Sequence, residues 1–235
     1  KGLWIIGYDV AQTDPTLTKV REALRNIDFL VVQDGFHPTP TTELLPRVLK
    51  IFRKRLPKVK VILFDQTCDE MQAGLKAREL DVSLVVEPPM KKGGGLVFEP
   101  LKEMPIGLMV PNDHPFARRR SVTIEEAIEE PIVGFVREGY PDYHHWLGVV
   151  SKHTKRKPRI VVSADGASSL LTAVESGHGV AFGPPAYAII AGRRAKYVAI
   201  KPAAPSIMLG AMMRDGKPAP VLAAFLDSLR LAAKI

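Results

Sequence analysis

Residues Arg159–Pro185 read RIVVSADGASSLLTAVESGHGVAFGPP, and this stretch decides the fold. Ile160, Val161 and Val162 are a short apolar, β-branched run, the signature of a strand. Ser163 or Asp165 is placed to accept from the free N–H groups of a starting helix. Ala167, Leu170, Leu171 and Val174 fall at i, i+3, i+4 and i+7, one face of that helix. Gly177 stands where a helix needs a left-handed residue just past its end. Val180, Ala181 and Phe182 make the next strand, and Pro184–Pro185 stops it. A strand–helix–strand unit this short predicts parallel strands with a right-handed crossover. It also predicts a helix N-terminus at the carboxyl edge of a sheet, where α/β proteins bind ligands because orphan N–H groups point there.

The same alternation runs outward in both directions. On the N-terminal side, Leu3–Tyr8 reads as a strand, and Asp14 with Pro15 opens a helix striped by Leu17, Val20 and Leu24. Ile27–Val32 is a further strand. A Pro/Thr-rich loop, His37–Thr42, precedes a helix over Glu43–Arg55 that buries Leu45, Val48, Leu49 and Phe52. Val59–Phe64 reads as a strand, Asp69–Glu79 as a helix and Val82–Val86 as a strand, which argues a parallel sheet. Lys91–Gly95 is a turn, and Leu96–Val110, broken by Pro100 and Pro105, reads as a crossing between two lobes. Thr123 and Glu126 have capping-box spacing and open a helix through Ile128. Ile132–Val136 (strand) and Tyr143–Lys152 (helix) lead into the opening stretch. After it, Tyr197–Ile200 and Ile207–Met213 are strands, the second a return crossing, and Leu222, Phe225, Leu226 and Leu229 stripe a closing helix. The expected architecture is α/β with two Rossmann-like lobes. Residues 1–103 and 203–235 form the first and 104–202 the second, with strand ends and helix N-termini of both facing a cleft.

Composition excludes several classes. A net charge of +8 favours anionic partners, but the clusters Arg118–Arg120, Lys152–Lys157 and Arg193–Arg194 lack the interleaved aromatics of a nucleic-acid groove, and a solvated basic surface is the plainer reading. No apolar run approaches the ~20 residues of a membrane span, and no signal-peptide pattern appears. The one cysteine, Cys68, forbids an internal disulfide and suits a cytoplasmic setting. The six histidines lack ligand spacing, so neither a metal nor a cofactor is expected; His114–Pro115 reads as a structural turn. There is no G-x-S-x-G elbow, P-loop or G-x-G-x-x-G, so no enzyme is expected. Cys68, near a helix start, reads as an inert small residue.

From Leu44 to Ile235 the chain resembles the effector-binding domain of LysR-type transcriptional regulators. The resemblance is carried, in order, by LLPRVLKIFRKRLPKVKV, DEMQAGLKARELDVSLV, FEPLKEMPIGLMVPNDHPFARRRSVTIEEAIEEPIV and SADGASSLLTAVESGHGVAFGPP. It implies the two-lobed type II periplasmic-binding-protein fold and a non-catalytic domain that senses a small anionic effector. It also implies a homodimer that pairs Glu43–Phe64 of one subunit with the second lobe of its partner. The winged helix-turn-helix of that family is not seen in this sequence, so no direct nucleic-acid contact is expected. Residues 1–43 fit the family poorly. LWIIGYDVAQTDPTLTKVREALRNIDFLVVQDGF resembles a segment of molybdopterin-dependent formate dehydrogenase, although Gly7–Tyr8–Asp9–Val10 departs from the enzyme's pattern. The expectation is an engineered chimera in which this βαβ graft completes the first lobe. The rival expectation is a designed scaffold with no function beyond folding.

The candidate ligand-binding residues come from helix starts and from the resemblance together. Thr39 and Thr41, in the loop before the Glu43 helix, could hold a carboxylate at its N-terminus, or simply cap it. Thr67, Phe135, Val136 and Arg137, Ser163 and Ala164, and Phe182 and Pro184 match positions around the regulators' effector. Arg137 is the one suited to pair with an anion. For each, packing at the edge of the cleft is the alternative.

Overall fold

The computed structural model describes residues 31–33, 40–89 and 94–234, with the backbone alone at 31–33, 40–43 and 65. The expected strand Leu3–Tyr8, the helix after Asp14, most of the strand Ile27–Val32, Thr39 and most of the turn Lys91–Gly95 lie outside these residues.

Two sheets organise the chain. The first contains β1 (Val31–Gln33), β2 (Leu63–Asp65), β3 (Val82–Val86), β4 (Leu96–Met104) and β11 (Ile207–Arg214), in the order β2-β1-β3-β11-β4. β1 is parallel to both β2 and β3, with Val31 opposite Leu63 on one side and Val82 on the other. The residues just before Asp34 are therefore an inner strand of the ladder. β11 runs antiparallel to β3 and β4. The parallel pairing expected from the alternation up to Val86 is present, and β11 and β4 make the sheet a mixed one, because β4 leaves for the second sheet and β11 returns from it.

Helix α1 (Pro40–Arg55) and the closing helix α7 (Pro220–Ala233) cover one face of this sheet. Leu45, Val48 and Phe52 of α1 meet Phe225, Leu226 and Leu229 of α7 over Val82, Leu84, Leu209 and Ala211, and Phe52 stands edge-on to Phe225 at 5.2 Å. The other face takes α2 (Cys68–Lys76), whose Met71 and Leu75 pack with Leu80, Val85 and Met212. Strand alternation sends Val82 and Leu84 to one layer and Val85 to the other.

The second sheet contains β5 (Gly107–Pro111), β6 (Ser121–Val122), β9 (Ala181–Gly183) and β10 (Ala195–Ile200), in the order β6-β10-β5-β9. β7 (Pro131–Phe135) and β8 (Arg159–Ala164) pair in parallel beside it. A parallel bridge between Ile132 and Val180, with Val133 N–H donating to the Val180 carbonyl at 2.8 Å, joins β7 to the approach to β9. The strands of the opening stretch, β8 and β9, are parallel as expected, with β7 between them. Helices α3 (Ile124–Glu129) and α4 (Pro141–Thr154) cover one face through Ile124, Ile128, Trp146, Leu147 and Val150. Helices α5 (Ala167–Glu175) and α6 (Ala186–Ala191) cover the other through Leu170, Leu171, Val174 and Tyr187. Each sheet is therefore the middle of an α/β/α sandwich. The chain passes from the first to the second between Met104 and Gly107 and returns between Ile200 and Ile207.

Several local expectations follow in the geometry. Gly177 has φ +78°, its N–H donates to the Val174 carbonyl at 2.9 Å, and His178 N–H donates to Ala173 at 3.1 Å, so α5 ends in a Schellman motif. Thr123 Oγ1 accepts from Glu126 N–H at 3.2 Å while Glu126 Oε2 accepts from Thr123 N–H at 2.8 Å, the expected capping box. His114 Nδ1 accepts from Phe116 N–H at 3.1 Å and starts a turn of 3₁₀ helix over Pro115–Arg118. Other expectations are corrected. The N-cap of α5 is Gly166, not Ser163 or Asp165: Ser163 still pairs with Gly134 in the β7–β8 ladder, and the Asp165 carboxylate accepts from Ser169 Oγ at 2.6 Å. Helix α1 begins at Pro40, so Thr41 and Thr42 lie inside its first turn rather than before it. β2 spans Leu63–Asp65 rather than Val59–Phe64.

Candidate ligand site between the two sheets

The carboxyl ends of β2, β7 and β8 carry most of the candidate residues. Thr67 follows β2 and is the N-cap of α2. Its Oγ1 accepts from Glu70 N–H at 3.4 Å and donates to Glu70 Oε2 at 2.8 Å, and Thr67 N–H donates to the same carboxylate oxygen at 2.8 Å. Thr67 thus has a capping role in place. The T-x-x-E spacing at 67–70, the same signal as at 123–126, marks it in the sequence.

β7 and β8 place the next group. Phe135 pairs with Ala164, and Val136 N–H donates to the Ala164 carbonyl at 2.9 Å, extending the ladder by one bond. The side chains of Phe135 and Ala164 point into the core over α5. Phe135 stacks on Tyr140 at 4.4 Å and meets Tyr143 edge-on at 5.1 Å, and its carbonyl oxygen lies 2.9 Å from His144 Nε2. Ser163 is exposed on the opposite side of β8, and Arg137, beyond the end of β7, is exposed with no ion-pair partner among the described residues. Phe182 and Pro184 are not brought to this group. Phe182 packs against Trp146 in the core at 5.2 Å, and the Pro184 carbonyl accepts from Tyr187 N–H at 3.0 Å at the start of α6.

Residues that sequence reasoning missed join the two sides. Cys68 N–H donates to the Gly139 carbonyl at 3.1 Å, and Gly139 N–H donates to Asp69 Oδ2 at 3.1 Å. Gly139 is buried with φ +89°, and a Cβ there would sit 3.0 Å from Cβ and Cγ2 of Thr67. The N-terminus of α2 and that of α4, whose N-cap is Tyr140, therefore converge on Gly139. Tyr140 is fixed by its hydroxyl, which donates to the Asp165 carbonyl at 2.7 Å, so the start of α5 joins the same neighbourhood. The α2 and α4 N-termini bring positive potential to Gly139, with the start of α5 one tyrosine side chain away. Asp69 and Asp142 occupy the second helical position of α2 and of α4 and partly offset that potential. Burial pushes the Asp142 carboxyl up to about 6, and the nearby Asp69 charge adds to the rise, while N–H donors of the first turn and His144 oppose it. Burial also pushes the Tyr143 phenol above its usual range, and its hydroxyl has no hydrogen-bond partner among the described residues. Among the described residues no group of three or more His, Cys, Asp or Glu could hold a metal ion, and no helix is long and apolar enough to cross a membrane.

The family model for the LysR substrate binding domain matches residues 35–234. The chain belongs to this family. Its match begins nine residues before the expected start at Leu44. Among curated relatives, the HTH-type transcriptional regulator AlsR of Bacillus subtilis (strain 168) is 28% identical over 150 residues, covering 64% of this chain and 49% of AlsR. The Hca operon transcriptional activator HcaR of Escherichia coli (strain K12) is 29% identical over 154 residues, covering 64% of this chain and 50% of HcaR. The chain spans about half the length of these relatives. Among solved structures, CbnR complexed with its target DNA superposes with TM-score 0.75 at 23% identity, covering 92% of this chain and 75% of CbnR. The BenM effector-binding domain with its effector benzoate superposes with TM-score 0.74 at 16% identity, covering 87% of this chain and 92% of BenM's domain. The fold is therefore that of LysR effector-binding domains. The non-catalytic expectation agrees with these relatives, which are named as transcriptional regulators. The resemblance of residues 1–43 to formate dehydrogenase, and with it the chimera, gains no support from these matches, and the reading as a scaffold without function is not favoured.

Proposed function

We propose that this chain is the effector-sensing part of a LysR-type regulator that binds a small anion between its two α/β/α sandwiches, residues 1–103 with 203–235 and residues 104–202. The observation that carries the reading is the meeting of the α2 and α4 N-termini at Gly139, two residues along the chain from the exposed Arg137. Thr67, Val136, Arg137 and Ser163 contribute side chains or backbone groups to the site, and Phe135 and Ala164 set its floor, while Phe182 and Pro184 lie outside it. Benzoate, the effector of BenM, belongs to the proposed chemical class. In the whole protein, anion binding would be relayed to a DNA-binding partner domain in the cytoplasm.

The domain works as a homodimer in this proposal. Among the described residues β2 and β8 are edge strands; Leu63 on β2 is 43% exposed, and Val161 on β8 and Val149 on α4 are 42% and 40% exposed. Pairing β2 and α1 of one subunit with α4 and β8 of the other would cover these apolar side chains. Light scattering at micromolar concentration should report a dimer, and Leu63→Glu should yield a folded monomer; a wild-type monomer refutes the arrangement. A thermal-shift screen of small carboxylates tests the sensing role. At least one should raise the Tm of the wild type, and Arg137→Gln should abolish that rise without lowering the ligand-free Tm. No rise with any carboxylate would refute it.

A further inference from the structure

From Leu44 to Phe64 the chain holds seven Lys or Arg and no Asp or Glu. Six of these cations, Arg47, Lys50, Arg53, Lys54, Arg55 and Lys58, are exposed. Helix α1 buries Leu44, Leu45, Val48 and Phe52 on the first sandwich. At about 100° per residue, Lys50 and Arg53 lie about 160° and about 140° around the helix from Val48, and Arg47 and Lys54 about 100° and about 120°. The face turned away from the sheet therefore carries four cations and Pro46. Lys58 follows in the turn that leads to the amino end of β2, remote from the carboxyl end that carries Thr67. Arginines elsewhere find acids: Arg119 pairs with Glu126, Arg156 with Glu129, Arg194 with Glu175, Arg214 with Asp81 and Arg230 with Glu99. The six exposed cations of 47–58 have no ion-pair partner among the described residues. The helix dipole favours Arg53, Lys54 and Arg55 in the last turn. Arg47 and Lys50 lie too far up the helix to gain from it, and Lys50 is repelled by Arg47 and Arg53, each three residues away, and by Lys54, four away.

We propose that this face of α1, with Lys58 beyond it, binds the phosphate backbone of duplex DNA without regard to base sequence. The choice of DNA as occupant rests on the regulator reading above; the face itself needs no effector in the cleft. Arg47 and Lys54 are two helical turns apart, about 10 Å along the axis, and duplex DNA presents a charge about every 1.7 Å of its own axis, so the row meets several phosphates at once. No exposed aromatic side chain interrupts the row, so it offers no platform on which the bases of a single strand could stack. A bilayer fits no better, because the apolar face of α1 is already buried against α7 and the sheet and is not free to enter lipid.

Fluorescence anisotropy of the full chain with a labelled duplex of about 30 base pairs and arbitrary sequence, titrated between about 50 and 200 mM salt, tests it. Replacing Lys50→Gln, Arg53→Gln and Lys58→Gln together should weaken binding about tenfold or more at the lower salt and reduce the salt slope by about 3. Arg118→Gln, Arg120→Gln and Lys217→Gln, three exposed cations elsewhere, remove the same net charge and should leave affinity and slope within about twofold of the wild type. Light scattering of the first variant should give the wild-type mass, and its Tm should not fall, since like-charge repulsion has been relieved. No duplex binding at the lower salt, or equal weakening in the two variants, overturns the proposal. Tighter binding to a single strand of the same length or to phosphatidylserine vesicles overturns the occupant, and a variant of half the wild-type mass shows the face to be a subunit contact instead. A protein that binds the duplex through this face yet shows no thermal shift with any carboxylate loses the sensing function and keeps this one.

Discussion

Replacing Thr67 by Ala separates two readings of one side chain. Thr67 is matched by family resemblance to an effector contact, yet its hydroxyl both accepts from Glu70 N–H and donates to the Glu70 carboxylate. If the cap is the chief role, Thr67→Ala leaves an N–H of the first turn of α2 without its acceptor and loosens the returning Glu70, costing about 1 kcal/mol. For a domain of this size that lowers Tm by about 2–4 °C. The second capping box supplies the calibration. Thr123 accepts from Glu126 N–H at 3.2 Å and has no connection with the proposed site, so Thr123→Ala should cost a similar amount. Thr67→Ser should be nearly neutral, because the hydroxyl remains. Urea unfolding of the four proteins at one pH, read as midpoint shifts at constant slope, gives the comparison. A Thr67→Ala variant as stable as the wild type beside a Thr123→Ala variant down by about 1 kcal/mol would refute the reasoning and release the Thr67 hydroxyl for a ligand.

Two further substitutions check the account of the fold. Gly177 and Gly139 both have positive φ, but a Cβ at Gly177 meets nothing within 4 Å, whereas one at Gly139 lies 3.0 Å from Thr67. Gly177→Ala should therefore cost about 1 kcal/mol of backbone strain alone, and Gly139→Ala clearly more, measured by the same unfolding titration. Phe225→Ala removes a fully buried ring that packs edge-on against Phe52 and should cost about 3–5 kcal/mol, read by calorimetry. A cost below about 1 kcal/mol would mean that α7 does not close the first sandwich against α1.

Much of the fold was legible because it is written in local signals. The i, i+3, i+4, i+7 stripe of α5, the Gly177 terminus and the Thr123 box each depend on residues within one or two helical turns. The outward crossing, expected within Leu96–Val110, falls at Met104–Gly107, whereas the return, expected at Ile207–Met213, falls before it at Ile200–Ile207, because β11 lies wholly in the first sheet. What failed was set by partners elsewhere. The mixed strand directions depend on which sheet β4 and β11 serve. The capping expectation at Ser163 failed because the ladder with β7 holds that residue for one more position. The site divides the same way. Phe135 and Val136 end the β7–β8 ladder beside Ala164, which the strand pattern foreshadowed, but the Gly139–Asp69 contact spans a sequence separation of 70 and rests on a glycine conformation, for which a single sequence carries no marker.

The central claim, an anion held where the α2 and α4 N-termini meet, is tested most directly by following backbone amide chemical shifts while a thermal-shift-positive carboxylate is added to the full chain. The account predicts saturable shifts concentrated at 67–69, 136–140 and 163–166, absent in Arg137→Gln. Shifts confined to other surfaces, or an unchanged response in Arg137→Gln, would contradict it.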